Sequence, residues 1–74
     1  MGNIQKREHT FGERLTDLMI ERGLYPAEVE RLTGIRRQRL YEYAKGISEP
    51  RERAIKLIAL GLNVSADWLL GIKD

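Results

Sequence analysis

The sequence predicts an all-α fold, a compact domain of five short helices, and three observations carry that expectation. Apolar residues recur at helical spacing from Phe11 to Leu69. Helix-starting residues (Thr10, Pro26, Ser65) and helix-stopping glycines (Gly23, Gly34, Gly46, Gly71) bracket the apolar stretches. No segment alternates with the two-residue period of a strand over more than a few positions.

Residues 1–9 show no sustained period and read as a flexible arm. Residues 10–74 read as one folded domain. Thr10-Phe-Gly-Glu13 fits a capping box, in which Thr10 and Glu13 satisfy each other's backbone N–H. Phe11, Leu15, Leu18, Met19 and Arg22 then share one stripe of a first helix that Gly23 ends. Pro26 opens the second helix, because the N–H that proline lacks would be unpaired there anyway. Val29 and Leu32 give that helix its apolar side, and Thr33-Gly34-Ile35 breaks it. A third helix runs from Arg36 or Arg37 to Lys45. Leu40, Tyr43 and Ala44 fall on one sector, Gln38, Tyr41, Glu42 and Lys45 on the other, and Arg37 and Arg39 flank. Ile47 to Pro50 is a loop. A fourth helix is expected over 51–60, with Ala54, Leu57, Ile58 and Leu62 inward and Gly61 and Asn63 marking its end. Ser65 caps a last short helix, Ala66 to Leu70, whose Trp68 and Leu69 pack back.

Composition removes several function classes. Among 74 residues there is no cysteine, which excludes disulfide scaffolds, thiol nucleophiles and cysteine-based zinc sites. There is one histidine, His9, no glycine-rich phosphate loop and no Gly-x-Ser-x-Gly elbow. A small helical domain also leaves little room for a substrate pocket of about 300 Å³. No enzyme, metal or cofactor is expected. No apolar run approaches the ~20 residues of a membrane span, so the expectation is a soluble, cytoplasmic protein with no membrane partner.

The net charge of +2 is modest, but its distribution is uneven. Residues 1–35 carry five Lys/Arg against six Asp/Glu, and residues 47–74 carry four of each. Residues 36–46 carry Arg36, Arg37, Arg39 and Lys45 against Glu42 alone. Positive charge focused on one helix is the electrostatic footprint of a nucleic-acid surface. A solvated helix face is the competing interpretation.

Two helices joined by a tight turn at Gly34 form the helix-turn-helix pattern, whose second helix enters the DNA major groove N-terminal residues first. Val29, Ile35, Leu40 and Tyr43 would fix the angle between the helices. Over about residues 10–71 the chain resembles the Cro and phage-repressor (XRE-type) family, with its lambda-repressor-like five-helix fold. The resemblance rests on Phe11-Gly-Glu-Arg-Leu15, Leu32-Thr-Gly-Ile35, Gly46 through Pro50, Ile58-Ala59, and Leu62-Asn-Val-Ser-Ala-Asp-Trp-Leu-Leu-Gly71. It implies a sequence-specific double-stranded DNA-binding regulator, a repressor occupying an operator as a weak two-fold dimer.

Within that frame Arg37 and Gln38 are the expected base readers, since Arg pairs bidentately with guanine and Gln with adenine. Tyr41 is placed for a thymine methyl or a phosphate, and Glu42 either for cytosine N4 or simply to offset the local positive charge. Arg36, Arg39, Lys45 and Ser48 are expected at phosphates, which position a protein without specifying sequence. An N-terminal arm bearing Lys6, Arg7 and His9 is a further candidate DNA contact. Val64, Trp68, Leu69 and Ile72 are the expected dimer contact.

The chain departs from the family pattern at four places. Pro26 stands where Gln is usual, Glu30 where Ala is usual, Arg36 where a small capping residue is common, and Ala44 where Glu is common. A carboxylate at 30 must reach solvent or pair with Arg37 or Arg39. These departures motivate the alternative, a protein-interaction module of antitoxin or antirepressor type that keeps the scaffold and holds a protein partner.

Overall fold

Four of the five helices begin where a side chain meets a backbone N–H at or beside the first turn, and the fourth in chain order starts without such a cap. In the computed structural model, which describes residues 10–72, five helices follow in order: α1 (Phe11–Arg22), α2 (Pro26–Thr33), α3 (Arg37–Lys45), α4 (Glu52–Leu62) and α5 (Ala66–Leu69). The expected arm with Lys6, Arg7 and His9 lies outside the described residues.

The capping box of α1 forms in full. Glu13 N–H donates to Thr10 Oγ1 at 3.3 Å, and Thr10 N–H donates to Glu13 Oε1 at 3.1 Å. In α2 only the returning half exists, because tyrosine has no capping group within reach. Tyr25 N–H donates to Glu28 Oε1 at 3.1 Å, and Pro26 removes one of the unpaired donors. Ser65 Oγ accepts from Trp68 N–H at 3.3 Å to start α5. At the other ends, Gly34 and Asn63 close α2 and α4 in left-handed conformations, with φ of 78° and 57°.

Among the described residues, nine side chains make the core: Leu15, Leu18, Val29, Ile35, Leu40, Tyr43, Ile58, Leu62 and Leu69. α1 packs on α3 and α5, α2 on α3 and α4, and α4 on α5. Phe11 meets Tyr43 edge to face, ring centroids 6.3 Å apart. Buried Arg14 lies over the Trp68 ring at 4.7 Å, a cation–π contact that ties α1 to α5. Arg22 Nη1 donates to the Leu62 carbonyl, bridging the C-terminal ends of α1 and α4.

Two expectations about the elements are corrected. Leu32 does not line the core. It is 40% exposed, and Thr33 is buried instead. Position 33 lies one full turn beyond Val29, and its polar cost is removed locally: Thr33 Oγ1 donates to the Val29 carbonyl at 2.7 Å and accepts from Ile35 N–H at 3.2 Å. Gly61 does not end the fourth helix, which continues to Leu62. It is a contact residue. A Cβ there would stand 2.5 Å from the Leu32 carbonyl oxygen, so only glycine lets α4 approach α2 this closely. Gly12 does the same for α1 and α3, where a Cβ would fall 2.6 Å from the Tyr43 oxygen and 2.8 Å from that of Ala44.

Candidate nucleic-acid interface

α2, the Gly34 turn and α3 form the helix-turn-helix, and its second helix is anchored from beneath. Leu40 and Tyr43 are buried, so the opposite face of α3 is turned to solvent. Arg36, Arg37, Gln38, Arg39, Tyr41 and Lys45 are all exposed, and Glu42 is half-buried. Lys45 Nζ lies 5.9 Å from the centroid of the Tyr41 ring, which draws the ammonium along the outer face of the helix.

An open cleft of about 960 Å³ runs between α3 and the start of α4. Arg36, Gln38, Arg39 and Glu42 form one wall, and Arg51 and Arg53 form the other. The two latter arginines escape a reading of the sequence, because residues 47–74 are electrically balanced. Folding sets both beside the basic helix. The only sequence signal for them is their position at the first turn after the Glu49-Pro50 loop.

Ser48 is not presented as expected. Its Oγ is buried and has no hydrogen-bond partner among the described residues. The cause is local. Ile47 and Ser48 both donate their N–H to the Glu42 carbonyl, at 2.9 and 3.3 Å, and this tight turn tucks Ser48 inward. Leu69 is also removed from its expected surface role, since it is wholly buried in the core. Trp68 and Val64 are half-buried, and Ile72 is 72% exposed.

The carboxylate at position 30 finds a partner. Glu30 Oε1 accepts from Arg37 Nε at 2.7 Å and from the Arg37 backbone N–H at 3.3 Å. The first of these bonds, above all, holds the Glu30 carboxyl below the usual carboxylate range. The second meets an unpaired donor of the first α3 turn, where Arg36 supplies no side-chain cap. Two departures from the family pattern thus offset each other: the cap missing at 36 is supplied from 30. Negative charge at this helix end is also favoured by the helix dipole.

On the other flank of α3, Met19, Ile20, Leu24, Tyr25, Tyr41 and Ala44 border a smaller, apolar groove. Among the described residues no helix is long and apolar enough to cross a membrane.

A helix-turn-helix family profile matches residues 15–69, three-quarters of the chain and all of α2, α3 and α4. The chain is 44% identical over 63 residues to an SPbeta prophage-derived uncharacterized HTH-type transcriptional regulator, YopO, of Bacillus subtilis (strain 168). That match covers 85% of this chain and 90% of the relative. No solved structure matches the chain. With the turn at Gly34, the exposed basic α3 and the family match over the same residues, the chain belongs to the XRE/Cro–lambda repressor-type helix-turn-helix family of non-enzymatic, DNA-binding transcriptional regulators.

Proposed function

We propose that the protein is a sequence-specific repressor that lays α3 in the major groove of an operator. The observation that carries this is the solvent-facing row of Arg37, Gln38, Tyr41 and Lys45 on a helix whose other side is locked into the core. Arg37 and Gln38 stand in the first turn and read bases, Arg to guanine and Gln to adenine. Glu42 sits on the cleft side, in reach of a cytosine amino group or of the neighbouring arginines. Arg36, Arg39, Lys45, Arg51 and Arg53 bind phosphates on both sides of the groove and set the register. The protein works in the cytoplasm, where its operator is.

Binding is by a weak two-fold dimer on half-sites about 34 Å apart. Ile72 and the neighbouring Leu70 (43% exposed), with the edges of Val64 and Trp68, supply the contact. A contact of so few residues makes a weak dimer, and DNA assists its assembly. A protein partner is the second reading, and the apolar groove beside Tyr41 is what favours it.

Fluorescence anisotropy with a mixed-sequence duplex across a salt series tests the proposal. Affinity is expected to fall steeply and linearly on a log–log plot, as counterion release requires. Absence of binding at low salt would refute it and favour the protein partner.

A further inference from the structure

We propose that Glu30 is a specificity-setting residue: it holds Arg37 ready to read one guanine. The inference rests on the DNA-binding role of α3 and names how one contact within it is tuned.

A lone arginine at the start of a recognition helix is a poor discriminator before it is ordered. Its long side chain samples many rotamers, and it meets a phosphate as readily as a base. Arg37 is not left in that condition. Glu30 reaches across from the preceding helix and takes both the Nε–H and the backbone N–H of the same residue on one oxygen. The root and the side edge of the guanidinium are thereby fixed together. The side chain remains 63% exposed, so the end of the fork is open to solvent. Its Nη groups are the pair that matches guanine O6 and N7. The carboxylate uses the one donor that end-on recognition does not need.

The same carboxylate disfavours the wrong contact. A phosphate approaching Arg37 from the α2 side meets the Glu30 charge, whereas an uncharged base edge does not. Glu30 thus exchanges some general DNA affinity for discrimination. That exchange explains a negative residue at the edge of an otherwise basic surface. Its side chain is 36% exposed, so the core does not require it.

The test is selection from a randomised duplex pool with the unaltered chain, Glu30→Ala, Glu30→Gln, Arg37→Ala and the double variant, each checked for folding by circular dichroism. The unaltered chain is expected to enrich guanine at one position in each half-site, and Arg37→Ala to lose that enrichment. Glu30→Ala should lower it by roughly three- to tenfold, the scale of losing the pre-ordering of one long side chain. Affinity for mixed-sequence duplex should rise at the same time, which a merely unfolded variant would not show. Glu30→Gln keeps an acceptor oxygen and should retain most of the preference. The double variant should match Arg37→Ala alone. A Glu30→Ala profile identical to the unaltered one, or a fall in both specific and mixed-sequence affinity, would overturn the proposal while leaving the DNA-binding role intact. A chain that enriches no sequence at all would overturn both.

Discussion

Replacing Gly12 with alanine pits helix propensity against packing, and the two give opposite signs. Alanine is favoured over glycine within a helix by up to about 1 kcal/mol. The new Cβ, however, would lie 2.6 Å from the Tyr43 carbonyl oxygen and 2.8 Å from that of Ala44. Ordinary carbon–oxygen contact begins at about 3.3 Å. Both obstacles are backbone atoms of α3, so no rotamer change relieves the clash, and α1 must back away by several tenths of an ångström. Overpacking of this kind costs about 1–3 kcal/mol. With contacts this short and both obstacles backbone, the cost lies toward the upper end of that range, so that even with the full propensity gain subtracted the net expectation is a loss of about 2 kcal/mol, or roughly 8–16 °C in Tm for a domain of this size. Thermal unfolding followed by circular dichroism reads it directly. Because the backbone that α1 would press on is that of α3, the helix proposed to enter DNA, duplex affinity should fall as well. An unchanged or raised Tm would refute the close-approach account of Gly12, and with it that of Gly61, which meets the Leu32 carbonyl in the same way.

Three further outcomes are expected. Arg51→Ala and Arg53→Ala should each weaken all duplex sequences alike and lower the log–log salt slope by about one unit; an unchanged slope would remove that arginine from the phosphate surface. Leu69→Ala should cost about 2–5 kcal/mol whatever the protein concentration, since the side chain is wholly buried within one chain. A loss that grows on dilution would return it to a subunit contact. The Glu30 carboxyl is held low by its bond to Arg37, so the pair's stabilising effect is complete above the ordinary glutamate range and fades as pH falls through the lowered value. An NMR titration of the Glu30 side chain should show a midpoint below that of ordinary, unpaired glutamates, with the Arg37 Nε–H signal changing in step. A midpoint at or above theirs would contradict the pairing.

The sequence was legible where physics is local. The Thr10–Glu13 box, the glycine stop at Gly34 and the buried set Val29, Ile35, Leu40 and Tyr43 are short-range patterns, and the structure realises each of them. The face of α3 turned to solvent followed from the same periodicity. What escaped depends on contacts distant in sequence. Gly61 looks like a helix end until α2 is seen lying against it. Arg51 and Arg53 vanish into a neutral window of sequence and become part of a basic cleft only when α4 starts opposite α3. Leu32 and Thr33 exchanged roles because a hydroxyl bonded within its own turn is an acceptable core group. Glu30 was visible as an anomaly whose partner was Arg37 or Arg39. Geometry selected Arg37, because one oxygen can meet both its side chain and its backbone.

An NMR titration of labelled protein with mixed-sequence duplex at two salt concentrations bears most directly on the DNA surface. Chemical-shift changes are expected to centre on Arg36 to Lys45, to extend to Arg51 and Arg53, and to weaken steeply as salt is raised. A recognition helix that stays silent at low salt, while other surfaces respond or none do, would contradict the placement of α3 in the groove.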